Sequence, residues 1–277
     1  ENAFFQAGIE DLGDAEIAQA DARSVADAHR LLEHVLPKVS LSVTLGDQSL
    51  FEAVLLALGL PRGWRMRLAR AFGSSAILAA ALADLANPSR SGQLAPDVAL
   101  LVADGDHERL AGYITERMRE AGLSSDAGRS PASIARRLIE KAELRSVRLA
   151  DEAFAALKTF LSIRAPLDRA ADELSKFCAE ARLALGVALD TFSARVEAIK
   201  AEGVSPEAIR YDAAFGRPLD YYTGLVFEIT AERHKRPLLG GGRYDRLLTL
   251  LGAAKPIPAV GFSVWLDRVE ELRGGAK

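Results

Sequence analysis

The chain has 277 residues and one cysteine, Cys178, so no intrachain disulfide can form. That excludes a disulfide-bonded secreted scaffold and makes a reducing, cytoplasmic compartment the expectation. The histidines are few: His29, His34, His107 and His234. His29 and His34 sit five positions apart, about 140° around a helix, and no cysteine pair joins them, so a structural zinc site is not expected. No metal or cofactor is expected at all. No apolar run reaches the roughly 18–20 residues of a membrane helix, and the most apolar stretch, 76–86, is about half that. The opening residues, Glu1 to Gln6, lack the basic and apolar regions of a signal peptide. Charge of one sign is also missing: 35 Lys and Arg face 38 Asp and Glu, a net charge of −3. A whole surface built to hold nucleic acid is therefore excluded, while a local basic patch stays open. Neither Gly-x-Ser-x-Gly nor a phosphate-binding loop with Lys-Ser/Thr occurs. What is present is an ordinary globular mixture, 49% hydrophobic and 26% charged, enough for one large domain or two modest ones.

Alternating polar and apolar residues predict a strand over 6–10 and another over 39–45, where Val39, Leu41, Val43 and Leu45 share a face. Between them, apolar residues at three- and four-residue steps predict a helix over 14–36, stopped by Pro37. Residues 47–212 read as almost wholly helical. Asp47 or Ser49 caps a helix to 58, and further helices are expected over 75–86, 107–121, 148–162 and 167–200. Loops are expected over 87–92 and 122–129, and Ser130-Pro131 opens a helix. Beyond Gly216 the texture changes to Tyr, Thr, Val and Phe, predicting a strand over 219–229. Another strand is expected over 259–264 and a helix over 265–272. Sheet-forming pieces at both ends with helices between them give an α+β fold.

Three features stand apart from packing. Cys178 lies within a helical run and reads as a small core residue. Gly240-Gly241-Gly242 reads as a hairpin turn, yet three glycines exceed what a turn needs, which suggests close approach of the backbone to a ligand or another strand. Arg62, Arg65, Arg67 and Arg70 form a run without an acid, either a solvated helix face or a contact for RNA or an acidic partner.

Three segments together resemble the class II histidyl-tRNA synthetase core. They are Arg217-Pro218-Leu219-Asp220-Tyr221-Tyr222-Thr223-Gly224 with Val226-Phe227-Glu228, then Leu239-Gly240-Gly241-Gly242-Arg243-Tyr244-Asp245, then 258–268. Residues 5–10 resemble the tail of a fourth motif. The resemblance implies an antiparallel synthetase-like sheet with flanking helices, formed by 1–46 and 210–277, and a largely helical inserted region over 47–209. It also implies a histidine pocket. Glu10 and Gln6 would meet the amino group or ring, Tyr221, Tyr222 and Tyr244 the imidazole, and Arg217 the carboxylate, with Gly241 and Gly242 letting the backbone close over the ligand.

The departures point away from aminoacylation. Trp265 stands where active synthetases carry glycine, and an indole adds roughly 200 Å² of side chain, enough to block the nucleotide site beside Arg268. Pro218 replaces a signature glycine. The arginine-bearing half of the second class II motif, the first motif and the anticodon-binding domain are expected to be absent, with ~80–100 residues expected to be missing ahead of Glu1. This combination resembles the regulatory subunits of ATP phosphoribosyltransferase, paralogues of the synthetase. That resemblance implies a non-catalytic subunit in histidine biosynthesis that activates the short catalytic subunit in a hetero-octamer. It implies self-dimerisation through the synthetase-like core and histidine as a feedback effector, with no membrane or tRNA partner. The rival reading is a catalytic-core fragment of histidyl-tRNA synthetase.

Overall fold

The computed structural model describes residues 4–86, 95–123, 130–146, 149–219, 221–232, 234 and 236–274. Its strands are β1 (Gln6–Leu12), β2 (Leu41–Asp47), β3 (Arg164–Pro166), β4 (Ile209–Asp212), β5 (Leu225–Ala231), β6 (Leu239–Arg243) and β7 (Ala259–Trp265). They form one mixed sheet in the order β1-β7-β6-β5-β2-β4-β3. Neighbours are antiparallel except β2 and β4, which run parallel. The helices are α1 (Ile17–Val35), α2 (Gln48–Ala57), α3 (Arg62–Ala71), α4 (Ser75–Ala86), α5 (Pro96–Ala103), α6 (His107–Glu120), α7 (Pro131–Ser146), α8 (Asp151–Ser162), α9 (Leu167–Ala181), α10 (Val187–Ala201), α11 (Leu247–Leu250) and α12 (Leu266–Gly274). This is an α+β arrangement.

Strand alternation gives the sheet two unlike faces. On one, Val43, Leu45, Phe227, Ile229, Phe262 and Val264 are buried in the main hydrophobic core. Helices α1 and α10 pack on each other, and α1 lies against β5, β6 and β7. The other face is polar or bare. Cross-strand register aligns Glu10 with Gly261, Gly261 with Gly242, and Ser263 with Gly240, which in turn faces Glu228. A core on one side and glycines on the other leave a shallow floor. A second, smaller apolar cluster, Val102, Leu110, Ala135 and Ile139, holds α5, α6 and α7 together.

Several expectations need correction. The helix expected over 167–200 is two helices. Arg182 ends α9 in the left-handed region at φ 54°, and Gly186 re-enters α10 at φ 51°. Leu183 and Leu185 continue the helical periodicity through that turn, which hides it. The stretch 47–212 also contains β3 and β4, pieces of three and four residues too short to show alternation. Helix α5 was not foreseen. The strand expected from 219 begins at Leu225; the preceding loop is tied by the Thr223 N–H, which donates to the Arg243 carbonyl at 2.8 Å. Gly240-Gly241-Gly242 is no hairpin turn but the middle of a central strand. Trp265 ends β7 rather than starting the following helix. The loop expected over 87–92 lies outside the described residues, as does 124–129 of the loop expected over 122–129.

Candidate functional site

The bare face of the sheet is closed at one end by the segment 213–224. Gly216 lets that segment pass against Phe72; a Cβ there would stand 2.6 Å from the Phe72 carbonyl oxygen. The segment thereby delivers Arg217 onto the sheet directly over Gly240, where any side chain at 240 would collide with the guanidinium. Arg217 is almost buried. Its Nη1 lies 3.5 Å from Glu228 and donates to the Phe227 carbonyl at 3.4 Å. Tyr222 lies over Gly242 in the same way, its ring edge 2.8 Å from where a Cβ would be. The close approach suggested by three consecutive glycines is thus to side chains laid on the strand as well as to neighbouring strands.

Tyr221 is the hub of an aromatic group, 4.7 Å from Tyr222 and 5.9 Å from Tyr244 between ring centroids, edge-on to the latter. Tyr244 O–H donates to Glu10 Oε2 in a short hydrogen bond. Burial holds the Tyr222 phenol well above its ordinary value, and burial with the Glu10 hydrogen bond does the same for Tyr244, so both stay protonated donors. Burial also raises the Glu228 carboxyl, against the opposing pull of Arg217 and Arg268. Arg268 is pushed down, by burial first and by Arg236 second.

Trp265 is half-buried on this face. The Arg268 guanidinium sits 4.2 Å from its ring centroid and that of Arg217 5.8 Å, a cation–π arrangement. Arg268 also donates to the Pro237 carbonyl. The buried Nε atoms of Arg217 and Arg268 have no hydrogen-bond acceptor among the described residues.

The structure therefore brings Glu10, Arg217, Tyr221, Tyr222, Gly242, Tyr244, Trp265 and Arg268 onto one face. Gln6 stands opposite Trp265 in the register, exposed at the outer strand. Gly241 is placed otherwise: it looks into the core, where a Cβ would lie 2.7 Å from Phe262 Cβ and 2.8 Å from Phe227 Cε1. It supports the floor from below rather than lining it. Sequence reasoning gave no role to Glu228, although Glu228 and Thr230 alternate with buried Phe227 and Ile229. The surface offers two separate carboxylates, Glu10 beside Tyr244 and Glu228 beside Arg217, with phenolic donors between them, which suits a small zwitterion carrying a polar ring. Among the described residues, no group of three His, Cys, Asp or Glu could hold a metal ion. No helix among them is long and apolar enough to cross a membrane.

Known proteins similar to this chain fall in one group. Residues 135–269 match the family model for histidyl-tRNA synthetase. A regulatory subunit of ATP phosphoribosyltransferase from Mesorhizobium japonicum is 70% identical over 275 residues, covering 99% of this chain and 74% of that protein. One from Agrobacterium fabrum is 55% identical, covering 99% and 73%. Among solved structures, an ATP phosphoribosyltransferase regulatory subunit/histidyl-tRNA synthetase from Bacillus halodurans superposes with a TM-score of 0.60 at 21% identity, over 97% of this chain and 53% of that one. The histidyl-tRNA synthetase from Nostoc gives 0.61 at 16% identity, over 98% and 51%. These two share the class II synthetase fold, and the chain spans about half their length.

Proposed function

The chain belongs to the ATP phosphoribosyltransferase regulatory subunit family, and on that premise we propose that it activates the short catalytic subunit of that enzyme and carries feedback inhibition by histidine. Its own role is regulatory rather than catalytic, within a phosphoribosyltransferase complex in the cytoplasm. The sheet face receives histidine: Glu10 and Gln6 take the ammonium or ring, Tyr221, Tyr222 and Tyr244 surround the imidazole, and Arg217 takes the carboxylate. The carrying observation is Trp265, whose indole lies on the sheet between two guanidinium groups where a flat, empty floor would be needed for a nucleotide. The assembly is a hetero-octamer with catalytic subunits, its regulatory subunits paired through the synthetase-like core, 1–46 with 210–277. Residues 47–209 form the helical insertion and its connections.

Inhibition requires that histidine bind the less active assembly more tightly, typically by ~1–3 kcal/mol of coupling. Mixing the chain with the catalytic subunit should give co-elution and faster phosphoribosyl-ATP formation, reversed by histidine. No co-elution and an unchanged rate would overturn the proposal. The match to the synthetase family model favours one other reading, a synthetase catalytic core. Histidine-dependent ATP–pyrophosphate exchange by the chain alone would establish it; none is expected with Trp265 in place.

A further inference from the structure

Helices α3 and α4 stand across a cleft of about 1310 Å³ from α6 and α7. Its lining includes Arg62 and Arg70 on α3 and Arg136, Arg137 and Lys141 on α7. All five are exposed, and among the described residues none of them is in an ion pair. Arg67 beside them is different: it pairs with Asp84 and packs 5.0 Å from the Trp64 ring centroid. Among the described residues two carboxylates line the cleft, Glu108 and Glu140, against six Arg and Lys, so its field is positive although the chain's net charge is −3. Two helices from different packing units, one in the main core and one in the small α5–α7 cluster, converge their unpaired cations on one space. Like charges gathered this way repel unless something anionic lies between them.

The floor decides what that is. Met66, Ile77, Leu138 and Ile139 lie between the arginines. A nucleic-acid backbone has no apolar side to place there. Among the described residues the lining has no Phe, Tyr or Trp for an unpaired base to stack on, only the single ring of His107, and Trp64 of α3 is buried. An amphipathic acidic protein segment satisfies both features, with its apolar stripe on the floor and its carboxylates against the arginine rim. Resting on the regulatory reading above, we infer that this cleft is a docking site for an acidic, amphipathic segment of the catalytic subunit. Arg62, Arg67 and Arg70 of the α3 run are then one wall of an interface rather than a solvated face, while Arg65 lies outside the cleft lining.

The test compares the unmodified chain with Arg136→Glu/Arg137→Glu, and with Arg62→Glu/Arg70→Glu on the opposite wall, in titrations against the catalytic subunit at two salt concentrations. A control of equal charge change, Arg169→Glu/Lys176→Glu, sits on the exposed face of α9. Each cleft variant should lose about tenfold or more in affinity and most of its salt dependence, while the control keeps both. Circular-dichroism melts identify any variant that is misfolded, and the opposite wall then decides. Unchanged affinity in the cleft variants, with normal binding by the parent, overturns the docking site but leaves the regulatory reading standing. No binding by the parent overturns both. Loss of binding to an RNA hairpin with affinity for the catalytic subunit intact overturns it in favour of a nucleic-acid site.

Discussion

Glu228 sits where its surroundings disfavour its charge. It projects from the middle of β5 onto the half-covered floor, where burial disfavours its charge and Arg217 at 3.5 Å only partly offsets that. Its pKa in the fold is therefore above the reference value of 4.5. The sign follows from linkage: the folded chain holds this proton more tightly than the unfolded one, so the stability it contributes is complete below pH 4.5 and is lost as pH rises through the folded value. Glu228→Gln stays neutral throughout. Its melting temperature relative to the parent should shift in the variant's favour as pH rises from 4 to 7, read by thermal melts at constant ionic strength. A difference that does not vary with pH would mean that Arg217 alone sets the carboxyl's state.

At the scale of elements, β6 illustrates why a central strand can be built almost without side chains. Gly240 and Gly242 make room for Arg217 and Tyr222 on the site face, and Gly241 makes room for Phe227 and Phe262 on the core face. Flexibility elsewhere would be costly, but here paired strands on both sides hold the backbone extended. Gly241→Ala forces its Cβ to within 2.7 Å of Phe262 Cβ and against the Gly261 carbonyl. We expect a loss of about 1–3 kcal/mol by denaturant unfolding. Gly112→Ala, in exposed α6 with nothing near its Cβ, should instead gain about 0.5–1 kcal/mol. The three glycines were visible in the sequence as something beyond a turn. Their place at the centre of the sheet was not, because no side chains remained to alternate. Strands β2 and β7 were legible because Val43 and Leu45, or Phe262 and Val264, alternate with smaller or polar neighbours. Strands β3 and β4 were not, because three and four residues hold too few repeats of the two-residue alternation to stand out. The residues of the site face were legible through the resemblance, while Glu228 needed the register to show which face it shares.

The whole molecule is tied together beneath the sheet by charges that no local pattern announces. Arg195 of α10 donates to Asp21 of α1 at 2.7 Å and to Asp47 at the end of β2. Arg243 of β6 donates to the same Asp21 at 2.8 Å and pairs with Asp245, which accepts the Ala259 N–H at 2.9 Å. Asp47 in turn caps α2 by accepting from the Ser49 and Leu50 N–H groups. Arg195, Asp21, Asp47 and Arg243 are each no more than 3% exposed. Burial alone would weaken the charge on Arg195, but Asp21 and Asp47 overcome it and hold the guanidinium more strongly protonated than usual. Partners 174 and 222 positions apart are joined through one carboxylate, so the network forms only when α1, α10 and β6 are all in place. It also anchors Asp245, and through it Thr223, whose loop presents Tyr221 and Tyr222. Removing one member strands the others as unpaired buried charges, which is far more costly than surface ion pairs suggest. Arg195→Met, close in volume, should therefore destabilise the chain by about 3–5 kcal/mol in denaturant titrations. Lys200→Met, one turn further along α10 at a surface pair with Glu197, should cost under about 1 kcal/mol. Equal effects from the two would show that the network is neutral in energy, and that the packing of α1 on α10, not the charges between them, holds the sheet to its helices.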